Sequence, residues 1–208
     1  MSRSLTALAL ATAFASCTAQ SSDDYIDLGY AGHTSKFYNK TYHLKLSKEL
    51  SDKIVGTLEY NTTYADWRDP GEHEELTTHS FLLDIYKLIP LNDNVQAFVG
   101  VGYNNSSSKF NCIAGCVNTS YTNQKPKGSA FEGTLGLRYQ TAHGLRLSGQ
   151  LTKIGDTSGT YWSTTNSSYE VDLSYPVLDA LTVGLRQRSY EGSGSELDFT
   201  SAYLRYFY

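Results

Sequence analysis

Three sets of side chains in this chain have the types needed for chemistry. The first is His79 and Ser80 with Asp84 close behind, the donor set of nucleophilic hydrolysis. On a strand, adjacent residues point to opposite faces, so His79 and Ser80 share no proton there without distortion. His33 and His73 fall in expected loops with no nucleophile beside them. No GxSxG, HExxH or phosphate-cradling glycine loop occurs. The expectation is that the chain is not an enzyme and carries no cofactor or resident metal.

The second set is the pair Cys112 and Cys116 in "NCIAGC". In an exported protein such a close pair reads as a disulfide loop, and a zinc site would need further ligands nearby. The third set is larger and periodic. Asp27, Glu59, Asp84, Glu132, Glu170 and Asp172 stand against Lys45, Arg138, Arg146, Arg186, Arg188 and Arg205. All twelve occupy one parity of alternating segments, with the two signs in balance. They have the makings of an internal charge network, accompanied by His43, Gln96, Gln150 and Tyr203.

The segments that hold them read as strands. Apolar residues recur at every second position in ten stretches, such as Ile26-Leu28-Tyr30, Val95-Ala97-Val99-Val101-Tyr103 and Phe131-Gly133-Leu135-Leu137-Tyr139. Alternation alone does not say which face is inside. A soluble barrel turns the apolar parity inward, and a membrane barrel turns it toward lipid.

Three features favour lipid. Connections after odd strands are long or variable (32–36, 65–75, 105–128, 155–166, 191–196). Those after even strands are short (48–52, 89–94, 140–144, 176–180). Tyr30, Tyr60, Tyr103, Phe131 and Tyr169 fall at one end of their strands, and Tyr139, Tyr175 and Tyr208 at the other, as two interfacial belts would. The chain also ends on an alternating apolar strand, Ala202, Leu204, Tyr206 and Tyr208, where a tail would ordinarily fray. The prolines keep clear of strand interiors, with Pro70 and Pro126 in long loops and Pro90 and Pro176 in short turns.

With that tail, and with "AFVGVGYN" (97–104) and "GTLGLRY" (133–139), the chain resembles the small Gram-negative outer-membrane barrels of the OmpA-transmembrane, OmpX and Ail kind. The resemblance implies that Ala202, Leu204, Tyr206 and Tyr208 form the signal read by the barrel-assembly machinery. It implies adhesion or immune evasion through surface loops. Those relatives have eight strands; ten are counted here, with eight as the alternative. The fold expectation is an all-β, antiparallel, up-and-down transmembrane barrel.

Residues 1–19 have the layout of a secretory signal peptide, Arg3 followed by an apolar run from Leu5 to Phe14. Residues 20–208 then form the barrel domain, about 190 residues, enough for one domain. "FASC" offers an alternative, lipidation at Cys17. The net charge of −4 argues against nucleic acid as a partner. Expected partners are outer-membrane lipid and lipopolysaccharide, the assembly machinery, and a host surface or extracellular ligand.

The lumen of so narrow a barrel is expected to be filled by a structural network, with a narrow gated pore as the alternative and a soluble lipocalin-like binder or lipid A-modifying enzyme behind them. Two loops are candidate binding elements. The 105–128 loop carries Lys109, Phe110, Tyr121, Lys125 and Lys127. The acidic 65–76 loop carries Trp67 and five carboxylates that could hold a divalent cation against lipopolysaccharide phosphates, although solvated carboxylates usually hold nothing specific.

Overall fold

The computed structural model describes residues 23–33, 40–69, 72–115, 127–155, 165–192 and 198–208. Ten strands follow one another: β1 (Tyr25–His33), β2 (Lys40–Ser51), β3 (Ile54–Asp69), β4 (Glu72–Pro90), β5 (Val95–Ala114), β6 (Lys127–Gln140), β7 (Arg146–Ile154), β8 (Thr165–Leu178), β9 (Leu181–Gly192) and β10 (Phe199–Phe207). Each pairs antiparallel with its neighbours in sequence, and β10 pairs back onto β1. The sheet closes, so no edge with unpaired backbone groups faces lipid. Ten strands, not eight, form the wall.

The alternation resolves inside out. Asp27, on the charged parity of β1, has no accessible surface, whereas Phe131, on the apolar parity of β6, is 74% exposed. Leu28, Val101, Leu135 and Leu185 face outward in the same way, and Glu59, Glu170, Arg186 and Arg205 are buried inside. Exposing so much apolar surface to water would forgo the main stabilising term of folding, whereas lipid makes it favourable. The fold is a membrane-spanning up-and-down barrel.

Rings gather where the outer face meets the long connections. Tyr30 packs on Tyr42 at 5.4 Å, Tyr42 on Tyr64 at 6.3 Å, and Tyr103 on Phe131 at 5.3 Å. Tyr139, Tyr206 and Tyr208 are exposed on the outer face at the other end.

Short turns join β2 to β3, β4 to β5, β6 to β7 and β8 to β9. Lys53 takes a left-handed φ of 64° in the first, next to a bulge at Glu49/Ser51, and Gly144 takes 83° in the third. Such conformations let a tight turn follow the twist of its strands.

The structure corrects the expected loops. β3 runs on to Asp69, β4 starts at Glu72, and β5 continues to Ala114. Most of 65–75, and 105–114, is therefore strand. Strands of 16, 19 and 20 residues exceed the roughly 9–11 that a tilted strand needs to cross a bilayer. Past the bilayer no lipid imposes an apolar face, so the ladder goes on after the alternation stops. Pro90 and Pro176 are strand residues rather than turn residues; Pro90 ends β4, and Pro176 sits at a register shift of β8.

Candidate functional site in the barrel lumen

The closing seam organises the interior. Asp27 on β1 and Arg205 on β10 are register partners, and Asp27 also faces Lys45 on β2. Arg205 donates from Nε to Asp27 Oδ1 at 2.7 Å and from Nη2 to Oδ2 at 2.9 Å. This two-pronged geometry is the strongest that a guanidinium makes with a carboxylate. Arg186 on β9 reaches the same Asp27 Oδ2 at 3.5 Å and also lies 3.3 Å from Asp172 and 3.4 Å from Glu170 on β8.

The chain of charges continues. Arg188 donates from Nε to Glu170 Oε2 at 2.7 Å and lies 4.0 Å from Glu59, which lies 3.9 Å from Lys45. Eight of the twelve expected residues thus join one network: Asp27, Lys45, Glu59, Glu170, Asp172, Arg186, Arg188 and Arg205. Four acids meet four bases along it, so each buried charge has an opposite neighbour.

The other four face inward but lie outside it. Arg138 donates to Asp23 at 2.8 Å, and Arg146 donates to the side-chain oxygen of Gln140 at 3.2 Å. Asp84 accepts from Thr57 at 3.3 Å and Glu132 from Asn104 at 3.1 Å.

Aromatic rings complete the charged wall, and period-two reading alone did not assign them this work. The Arg205 guanidinium lies 4.0 Å from the Tyr25 ring centre and 5.0 Å from that of Tyr203, with Arg186 on Tyr203 at 5.1 Å. Tyr203 donates its hydroxyl to Asp172 at 2.8 Å. The rings of Tyr203 and His43 fit because inward-facing glycines stand opposite them. A Cβ on Gly184, the register partner of Tyr203, would come within 2.1 Å of its ring, and one on Gly29 would meet His43 at 2.1 Å.

Across the lumen, β3–β5 present an apolar surface. Val55, Leu88 and Phe98 are buried together with Tyr86 packed on them. They sit on the parity that is otherwise charged, a signal hidden by its surroundings.

Two cavities lie along the lumen among the described residues. The larger, about 180 Å³, lies toward the long connections and is lined by Asp84, Glu132, Asn104, Arg188, Tyr190 and Phe199 among others. A smaller one of about 60 Å³ lies between the apolar cluster and the arginines. Lys45, Tyr86 and Gln150, from β2, β4 and β7, line both and so form the partition between them.

Outside the lumen, His79 faces outward, its ring 6.0 Å from that of Tyr60 and hydrogen-bonded to its hydroxyl at 2.8 Å, while Ser80 lines the larger cavity. The two point apart as strand geometry requires. His73 belongs to β4 rather than to a loop. Cys112 is disulfide-bonded; Cys116 lies outside the described residues, as do Tyr121, Lys125 and residues 1–19 with Cys17.

On the terminal strand, Ala202, Leu204, Tyr206 and Tyr208 face outward. Tyr208 donates its backbone N–H to the Asp24 carbonyl at 3.4 Å and its hydroxyl to the Ser47 carbonyl at 3.3 Å. Phe207 turns inward against Tyr25 at 5.9 Å. At the same end Asp24 pairs with Lys48. That hydrogen bond and one from the Glu49 N–H hold its carboxyl below the usual range.

No protein-family model matches the chain, and no curated protein matches it in sequence. Solved structures do. The KdgM porin aligns over 88% of this chain and 99% of its own at 12% identity and a TM-score of 0.47. The NanC porin aligns over the same shares at 10% and 0.45. Ail, the attachment invasion locus protein of Yersinia pestis, aligns over 88% and 97% at 11% and 0.39. The fold itself rests on the chain's own closed, ten-stranded up-and-down barrel with its apolar parity outward. Likeness at this level says nothing of what it does.

Proposed function

We propose that this chain is a non-enzymatic barrel of a Gram-negative outer membrane whose lumen is structural and whose working surface is its long-connection end. The observation that carries the reading is the continuous ion-paired wall from Asp27 through Arg205, Arg186, Asp172, Glu170 and Arg188 to Glu59 and Lys45. Every charge in it is committed to a neighbour, and the apolar cluster of Val55, Leu88 and Phe98 fills the facing side. A lumen packed in this way holds a barrel shut and rigid.

The extended strands β3–β5 then project beyond the bilayer as a stiff platform for contact with a host surface, an extracellular ligand or lipopolysaccharide. The terminal residues Ala202, Leu204, Tyr206 and Tyr208 would be the segment read by the assembly machinery. Nucleic acid is not a partner in this reading.

One observation favours a second reading, a narrow gated pore. Only Lys45, Tyr86 and Gln150 line both cavities, so a few rotamer changes would join them. Planar-bilayer recording of the refolded protein separates the two. The structural reading predicts no unitary currents from barrels shown to be folded by their gel-mobility shift on heating. Reproducible currents would establish the pore.

A further inference from the structure

The β3–β4 hairpin brings together side chains that a loop would have left apart. Asp66 on β3 and Glu75 on β4 are direct cross-strand partners. Two carboxylates placed opposite each other on one face raise the local negative charge, which draws a cation. His73 stands two residues from Glu75, so it shares that face. Its Nε2 lies 3.1 Å from Asp66 Oδ1. One ligand atom from each of the three lies within 4.8 Å of the others, and all three residues are half-buried.

We propose that Asp66, His73 and Glu75 form a binding site for a divalent transition-metal ion of the zinc type. The donor set argues for that class. Imidazole nitrogen favours zinc and its neighbours, whereas magnesium and calcium prefer sites built of oxygen alone. Nitrogen and carboxylate oxygen bind zinc at about 2.0–2.2 Å, so ligand atoms around one tetrahedral ion stand roughly 3.3–3.6 Å apart. The three atoms, within 4.8 Å of one another, already stand close to that spacing. The hairpin backbone already fixes the register and need not move. A dication held here is attracted by both carboxylates and leaves its remaining positions to water.

The place is informative too. The cluster continues the outward face of Tyr64 and Thr77, two register pairs beyond them, with Ala65 and Leu76 between. It lies where β3 and β4 pass beyond the aromatic belt, and a bound ion there would tie the two strands together at that level.

Titration calorimetry of untagged, refolded protein in detergent with zinc chloride tests the site. The expected result is saturable binding of one ion per chain, weakened at least tenfold by His73→Ala and by Glu75→Gln and unchanged by His79→Ala. Magnesium chloride should give far weaker heats. The gel-mobility shift of each variant checks that its barrel is intact. Absence of saturable zinc binding by the wild-type protein overturns the proposal. So does binding that His73→Ala leaves intact, or that His79→Ala removes.

Discussion

Arg205 and Asp27, 178 residues apart in sequence, lock the first strand to the last through two parallel hydrogen bonds of 2.7 and 2.9 Å inside a closed barrel. Asp27 has no accessible surface and also takes Arg186 at 3.5 Å. The seam is the last place where a barrel can open, and the network begins there. Asp27→Ala would leave two buried guanidinium groups short of a partner, at a cost of about 3–5 kcal/mol. Urea unfolding of the refolded protein should show that loss; a midpoint within error of wild type would mean that the seam is held by its backbone ladder alone.

The rings over glycine give a second expectation. Gly184→Ala would push a methyl group into the Tyr203 ring, which is also bonded to Asp172. Overpacking of this kind costs about 1–3 kcal/mol. The double variant Gly184→Ala/Tyr203→Ala relieves the clash, so its shortfall should be smaller than the sum of the two single ones in the same unfolding assay.

Leu135 stands mid-strand on the outer face of β6, 61% exposed to what would be lipid. Leu135→Arg should destabilise the folded barrel by ~2–4 kcal/mol in lipid vesicles. A negligible effect would contradict the orientation of the faces.

Tyr208 follows directly on the strand that closes the sheet, and its hydroxyl and N–H both reach the neighbouring backbone. Deleting it, or Tyr208→Asp, should lower the amount of folded protein in the outer membrane of expressing cells. Wild-type levels would remove the tail's proposed role in assembly.

How much of this was legible in sequence follows from what enforces a pattern. Lipid on one side and a narrow lumen on the other impose strict alternation, so the ten strands could be read directly, and loop lengths, aromatic belts and the tail then placed Leu28 and Leu135 outside and Asp27 and Arg186 inside. Beyond the bilayer that constraint ends, and "SSSKFNC" and "HEEL" read as loop although the ladder carries on through them. The same error hid the meeting of Asp66, His73 and Glu75, which depends on register. Register also decides which charges pair. Parity placed Glu132 and Glu170 alike, but only Glu170 lies opposite an arginine, Arg188. Val55, Leu88 and Phe98 were obscured because apolar residues on a mostly charged parity look like noise until the lumen is closed around them. The glycine opposite two of the inward rings, Gly184 with Tyr203 and Gly29 with His43, was a usable signal once neighbouring strands were aligned.

The closed lumen is the centre of this account, and the partition of Lys45, Tyr86 and Gln150 is where it is most exposed to test. Planar-bilayer recording should compare the wild-type barrel with Lys45→Ala/Tyr86→Ala/Gln150→Ala, both confirmed as folded by gel mobility. The account predicts silence from the wild type and unitary currents from the triple variant, which lacks the side chains shared by both cavities. Steady wild-type currents that change size with Arg188→Gln would contradict it and make the lumen a conducting path.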